Sequence, residues 1–146
     1  MNECMNNTVF TNGCFDILHV GHVRLLQHAA QLGDNLVVGL NSDESVARLK
    51  GSGRPINGFE DRKEILLALG CVSEVLKFPD AGKPDDPFEL IKKIRPSVIV
   101  KGGDYTESEV IGAEFLRSYG GRVVIFPFVL NKSTTRIVQK LDPREI

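Results

Sequence analysis

Five short apolar runs, each followed by an amphipathic stretch, set the narrowest limit on how this chain can fold. The first run, around Val9 and Phe10, leads through Gly13 to a helix with Leu25, Leu26, Ala29 and Ala30 on one face; Gly33-Asp34 ends it. Asn35 to Leu40 is the second run. It shows little alternation, as expected of a strand covered on both faces. A helix from Glu44 to about Lys50 follows, and then a loop of turn formers at 51–58. Phe59 to Leu69 reads as a helix with Gly70 as its C′ residue, and Val72 to Phe78 as a third strand. Pro79 to Pro87 is an exposed connection. Phe88 to Ile94 is a helix stopped before Pro96, and Ser97 to Lys101 a fourth strand. A helix over Glu107 to Tyr119, a fifth strand over Arg122 to Phe126 and a helix over Thr134 to Leu141 complete the chain.

Strict alternation of this kind predicts an α/β fold, a Rossmann-like, doubly wound, five-stranded parallel sheet. No repeat, low-complexity run or linker divides the 146 residues, so residues 8–146 are expected to form one domain behind a frayed tail at 1–7. Ligands of such sheets bind beyond the carboxyl ends of the strands, at the topological switch point. That rule brings residues 13–22, 41–43, 101–105 and 131–135 to one rim.

Composition removes several classes of function. The formal charge is −1 and the pI about 6.3, so no global basic field recruits nucleic acid or an anionic membrane. Phosphate binding would have to be local. No apolar run approaches the ~20 residues that span a bilayer, and the first residues lack the pattern of a secretory signal. Cys4, Cys14 and Cys71 form no Cys-x-x-Cys pair, which argues against structural zinc and for a reducing, cytoplasmic setting.

The chemistry concentrates where the first strand meets its helix. His19 and His22 flank Gly21 at a helix N-terminus, where first-turn amides point outward unsatisfied. One histidine there would be a cap or a surface residue. A pair on a glycine turn points to donors aimed at phosphate oxygens that gain charge as a phosphorus is attacked. Ser133, Thr134 and Thr135 precede the last helix and form either a second anion cradle or a plain N-cap. Lys50 and Arg54 flank Gly51 and Gly53, and Arg62 starts the next helix. These cations would neutralise a leaving pyrophosphate, or else belong to a solvated surface loop. Lys101-Gly102-Gly103-Asp104-Tyr105 reads as a pocket wall or as a tight turn. No P-loop and no dinucleotide fingerprint is present, which leaves a redox Rossmann protein without support. Nor does a nucleophilic Ser or Cys sit in a hydrolytic setting. Transfer to an acceptor that brings its own nucleophile needs none, since a phosphomonoester is largely dianionic at neutral pH.

Assembled, Gly13-Cys14-Phe15-Asp16-Ile17-Leu18-His19-Val20-Gly21-His22 and Ser133-Thr134-Thr135 resemble the two signatures of the cytidylyltransferase-like nucleotidyltransferase family. The resemblance runs from about Thr8 to Leu141. Within the family, LNSDESVARLKGSGRP, VKGGDY and STTRIV are most similar to the adenylyltransferase domain of ADP-heptose synthesis. The resemblance implies transfer of AMP from ATP to a heptose 1-phosphate, with Mg²⁺ bridging phosphates and no metal held by side chains alone. His19 and His22 would stabilise the transition state. Gly13, Phe15, Asp16, Gly21, Lys50, Ser133, Thr134 and Thr135 would surround the nucleotide. Arg54, Arg62, Lys101, Gly103 and Asp104 would form walls for substrate or nucleotide. A homodimer is expected from the family, and a separate kinase would supply the sugar phosphate. Glycerol-3-phosphate cytidylyltransferase is the rival. Its Arg-Thr-Glu-Gly-Ile run is replaced here by Val129-Leu130-Asn131-Lys132, which counts against cytidine. A catalytically silent nucleotide-binding module is the alternative of another class.

Overall fold

The computed structural model describes residues 7–103, 105–127 and 132–142. Five parallel strands, β1 (Thr8–Gly13), β2 (Asn35–Asn41), β3 (Glu74–Phe78), β4 (Val98–Gly102) and β5 (Arg122–Phe126), stand in the order β3-β2-β1-β4-β5. The chain steps from β1 outward through β2 to β3, then returns to the other side of β1 for β4 and β5. The switch point is therefore the crevice between the carboxyl ends of β1 and β4. In register, Thr8 lies beside Asn35 and Gly13 beside Leu40, while Val9 pairs Val98 on the opposite edge.

Alternation along the strands fills two cores. Val9, Val38, Leu40 and Val100 meet Leu26 and Ala29 of α1 (Val20–Ala30) and Phe59 and Leu66 of α3 (Phe59–Leu67). Phe10, Val37 and Ile99 point the other way. They pack on Ile91 of α4 (Phe88–Ile94) and on Ala113 and Leu116 of α5 (Ala113–Ser118). Each fully buried Leu or Ile contributes about 1.5–3 kcal/mol. Two short helices complete the rim, α2 (Asp43–Lys50) and α6 (Thr134–Leu141). Among the described residues no helix is long and apolar enough to cross a membrane.

Three elements differ from the sequence expectation. The helix expected over 107–119 is a 3-10 turn at Glu107–Glu109 followed by α5. Between them Gly112 sits at φ +88, left-handed backbone that ends any helical run. A side chain at Gly112 would also press on Ile91, so the break lets the chain lie close to α4. Helix α3 stops at Leu67 and is closed by Ala68, not by a left-handed Gly70. The third strand starts at Glu74 because the Val72 amide bonds back to Leu69, folding residues 69–72 into a turn.

The start of β1 is fixed by the turn after α1. The Asn7 carbonyl accepts the Asp34 amide at 2.8 Å, and a Cβ at Gly33 would land on that carbonyl and on Val9. Gly33→Ala would gain a few tenths of a kcal/mol from the stiffer unfolded chain. The steric cost of forcing the turn from β1 is larger, so a net loss of about 1–3 kcal/mol is expected in urea denaturation. An unchanged midpoint would show that the turn can move.

Candidate active site

The peptide between β1 and α1 carries the two histidines, and its path is unusual. Phe15 and Ile17 have φ of 45° and 51°, a region that few non-glycine residues occupy. Such a path persists only when its surroundings hold it. Here they do. The Thr134 hydroxyl donates to the Asp16 and Ile17 carbonyls, and the Arg62 guanidinium donates to the Cys14 carbonyl at 2.8 Å. The Phe15 ring turns inward beneath Gly13 and lies 5.2 Å from the His22 ring.

His19 is the N-cap of α1. Its Nδ1 accepts the Gly21 amide at 3.1 Å, while the His22 Nδ1 accepts the His19 amide at 3.3 Å. The two imidazoles thus serve as the capping side chains that Ser or Asp usually provide. A nitrogen that accepts carries no proton, so each neutral ring holds its hydrogen on Nε2. The rings stack with centroids 3.7 Å apart. Burial, reinforced by the neighbouring His19, lowers the His22 pKa to about 4, although Asp16 opposes the shift. Burial and then Lys132 lower that of His19. Two neutral, oriented Nε2–H donors result.

Asp16, expected to surround the nucleotide, lines the cleft but has its carboxylate fully engaged. It accepts the Ile56 amide at 2.7 Å, the Asn57 amide at 2.9 Å and Arg54 Nε at 3.1 Å. It therefore straps the 51–58 loop to the histidine loop. Arg62 departs further from the sequence reading. It is 1% exposed and lines no part of the cleft. Its Nε donates to the Asn57 carbonyl, Nη1 to those of Cys14 and Asn41, and Nη2 to the Asp43 carboxylate. Arg62 is an internal clamp and not a wall for substrate.

The remaining walls converge on one cleft of about 620 Å³ at the switch point. Gly13, Phe15, His19, Gly21 and His22 line one side, and Ser133, Thr134 and Thr135 face it from the start of α6. Ser133 caps α6 by accepting the Arg136 amide, so its hydroxyl is partly committed. Lys50, Arg54 and Lys101 line the cleft as well. Gly103 does not. It is buried, at φ +117, with its amide bonded to Phe126, and Gly102 lines the cleft in its place. Asp104 and Asn131 lie outside the described residues.

Lys132, within the 131–135 stretch expected at the rim, reaches the cleft, as do Asp85 and Asp86, which were not singled out from the sequence. The signal for the two aspartates was available: their proline-rich connection leaves the carboxyl end of β3, and that end faces the same rim. Arg48 of α2 anchors this connection through a two-point pair with Asp85 at 2.7 and 2.8 Å.

Among the described residues no group of three or more His, Cys, Asp or Glu could hold a metal ion. In the cleft Asp16 is engaged by Arg54 and two amides, Asp85 by Arg48, and one oxygen of Asp86 by the Phe88 amide. A divalent cation carried in by phosphate oxygens needs no cluster of side-chain ligands.

A model of the family described as cytidylyltransferase-like matches residues 10–140. The bifunctional protein HldE of Geobacter sulfurreducens (strain ATCC 51573 / DSM 12127 / PCA) is 55% identical over 133 residues, which cover 91% of this chain and 26% of that protein. HldE of Pseudomonas aeruginosa (strain LESB58) is 51% identical over 136 residues, 93% of this chain and 28% of that one. The chain thus spans about a quarter of the length of these curated relatives. Among solved structures, a lipopolysaccharide core biosynthesis protein from Thermoplasma volcanium GSS1 matches with a TM-score of 0.64 and 27% identity, over 84% of this chain and 95% of that one. Pantothenate synthetase from Thermus thermophilus matches with a TM-score of 0.64 at 15% identity, over 94% of this chain and 63% of that one, a likeness of fold alone. With the motif, the sheet order and the family match in agreement, this chain belongs to the cytidylyltransferase-like family.

Proposed function

We propose that the chain is an adenylyltransferase that transfers AMP from ATP to a sugar phosphate, heptose 1-phosphate on the resemblance to the ADP-heptose subgroup, and releases pyrophosphate. The observation that carries this reading is the pair of neutral Nε2–H donors at the start of α1, facing the start of α6 across one cleft. An acceptor phosphate oxygen would form a bond to the α-phosphorus as the bond to the bridging oxygen of the β-phosphate breaks. No proton has to be removed, because the attacking phosphomonoester is already dianionic. The histidines stabilise oxygens that gain charge, and the amides and hydroxyls at 133–135 receive phosphate at a helix N-terminus. Mg²⁺, when bound to the triphosphate, supplies further charge neutralisation.

Neutral histidines suit this task. A donor whose proton is fixed on Nε2 is oriented before the reaction and needs no reorganisation during it. A lowered pKa also keeps the pair from charging and repelling as the pH falls.

The direct test is pyrophosphate release with ATP or CTP against heptose 1-phosphate or glycerol 3-phosphate. Turnover is expected with ATP and heptose 1-phosphate. Preference for CTP and glycerol 3-phosphate would move the chain to the rival group, and nucleotide binding without release would make it a silent module. His19→Ala or His22→Ala should lower kcat by about 10²–10³, the scale for losing one transition-state donor, with a much smaller change in the KM for ATP.

The imidazoles themselves give a second test. In ¹⁵N-edited NMR spectra His22 should remain the neutral Nε2–H tautomer from pH 8 to pH 5 and titrate near 4. The folded pKa lies below the unfolded value of about 6.5, so the unfolded chain takes up this proton first. The stability contributed by neutral His22 is complete above about pH 6.5 and is lost as the pH falls toward 4. A ring that titrates near 6.5 would remove the basis for a fixed donor.

A further inference from the structure

The two ends of the cleft differ in chemistry. The histidines and the start of α6 follow β1 and β5, and they suit phosphate. At the opposite edge of the sheet β3 leads into the 79–87 connection, which places Asp85, Asp86 and Pro87 on the cleft wall. Lys50 and Arg54 follow β2, which stands between. A carboxylate is a poor neighbour for a phosphate, because like charges repel most strongly where water is excluded. It suits the uncharged, hydroxyl-bearing part of a substrate, since an ionised carboxylate only accepts hydrogen bonds and hydroxyls donate them.

Asp85 and Asp86 have different duties. Asp85 is held by Arg48 through two bonds of 2.7 and 2.8 Å, and Arg48 itself lines no part of the cleft. This pair fastens the connection to α2 from outside. Asp86 accepts the Phe88 amide at 3.0 Å, and among the described residues nothing else bonds its carboxylate. One oxygen is thus left over on a wall that is held in place. Asp86 and Phe78 also border a smaller cavity of about 150 Å³, so this end of the cleft has room beyond a reacting phosphate.

The order of the sheet indicates which substrate brings the hydroxyls. In-line displacement sets the acceptor opposite the leaving pyrophosphate. The helix starts and histidine donors that suit a triphosphate follow β1 and β5, which leaves the side of β2 and β3 to the acceptor. We propose that Asp86 is a specificity-determining residue that accepts hydrogen bonds from hydroxyls of the acceptor's sugar, and that Arg48 is a positioning residue acting on it through Asp85. This assignment rests on the adenylyltransferase reading. The same carboxylate repels the acceptor's phosphate and so turns it toward the histidines.

Asp86→Asn is the informative variant. Its amide oxygen keeps the tie to Phe88 while its NH2 replaces the spare acceptor, so the wall stays and the hydroxyl contact is lost. The KM for heptose 1-phosphate should rise at least about 10-fold, the scale for one hydrogen bond to a charged group, with the KM for ATP within about twofold. Arg48→Met should raise the same acceptor constant by about 2- to 5-fold. Added to Asp86→Asn it should cost little more, since the wall that it holds then has no acceptor to present. Fully additive effects would overturn the positioning role of Arg48. A rise in the KM for ATP alone would give Asp86 to the ribose of the nucleotide, and no change in either constant would make it a plain helix cap. Either result overturns the proposal. Calorimetric titration with heptose 1-phosphate, in the presence of a non-hydrolysable α,β-methylene analogue of ATP, separates this inference from the function itself. Binding that weakens in Asp86→Asn, without pyrophosphate release by the wild-type chain, would preserve the contact and sink the activity. Turnover that is indifferent to Asp86 would do the reverse, and absence of acceptor binding to the wild-type chain would sink the contact. Thermal melts of each variant against wild type confirm that it is folded when its constants are read.

Discussion

The site depends on one buried guanidinium. Arg62 reaches inward from the first turn of α3 and holds the carbonyls of Cys14, Asn41 and Asn57 together with the Asp43 carboxylate. These groups belong to the ends of β1 and β2, the start of α2 and the loop before α3. Carbonyls at the carboxyl ends of parallel strands run out of ladder partners, and a buried one without a partner costs about 1–3 kcal/mol. Arg62 supplies the missing donors from a rigid planar fork, geometry that a lysine does not reproduce. Its own burial is tolerable only because every bond is made. Removing one side of such an arrangement leaves an unpaired buried charge or several orphaned carbonyls, a loss of about 3–5 kcal/mol for fully buried pairs. The exposure of Asp43 places the real figure lower.

This clamp makes the histidine geometry possible. The Cys14 carbonyl is fixed from below by Arg62, and the Asp16 and Ile17 carbonyls from above by Thr134. Between these ties the backbone is held with Phe15 and Ile17 in left-handed conformations. Asp16 transmits the same order outward to residues 54–57. Residues that look like ligands for substrate by type and position are therefore divided in their duties. Asp16 and Arg62 hold the peptide, and the histidines that it carries face the cleft. Thr134 does both, lining the cleft while fastening its opposite wall.

Much of this was legible in the sequence because it depends on local pattern. The five strands, the order of elements and the convergence of the histidine loop, of Lys101, Gly102 and Tyr105, and of residues 133–135 follow from periodicity and from the rule for parallel sheets. The broken helix at 107–119 was not legible. Gly112 is one glycine in an otherwise helical pattern, and only its contact with Ile91 of α4 reveals the reason for the break. Arg62 was misplaced for a related cause. An arginine beside a basic loop reads as a surface cation, and its partners lie 5 to 48 residues away in the chain. Side-chain direction at the start of a helix is settled by tertiary partners, which no local window contains. The aspartates at 85 and 86 illustrate a different limit, since the sheet rule already covered them and the proline-rich composition suggested only exposure.

The charge pattern of the cleft suits the proposed reaction. In that reaction a triphosphate and a phosphomonoester would together carry several negative charges into a chain whose net charge is −1, so attraction would have to come from placed groups. Permanently charged histidines would add attraction but would repel each other at 3.7 Å. They would also give up the acceptor nitrogens that cap α1. Kept neutral, the rings orient the helix start and present donors, while Lys50, Lys101 and Lys132 carry the charge from three different segments. Dividing the work in this way separates orientation, which must be fixed before the reaction, from attraction, which charged side chains supply at longer range. The same division explains why the histidines are bound into a capping network while the lysines, among the described residues, are held in no ion pair. A donor acting on the transition state works best when immobile, whereas a cation that receives an incoming anion must be free to meet it.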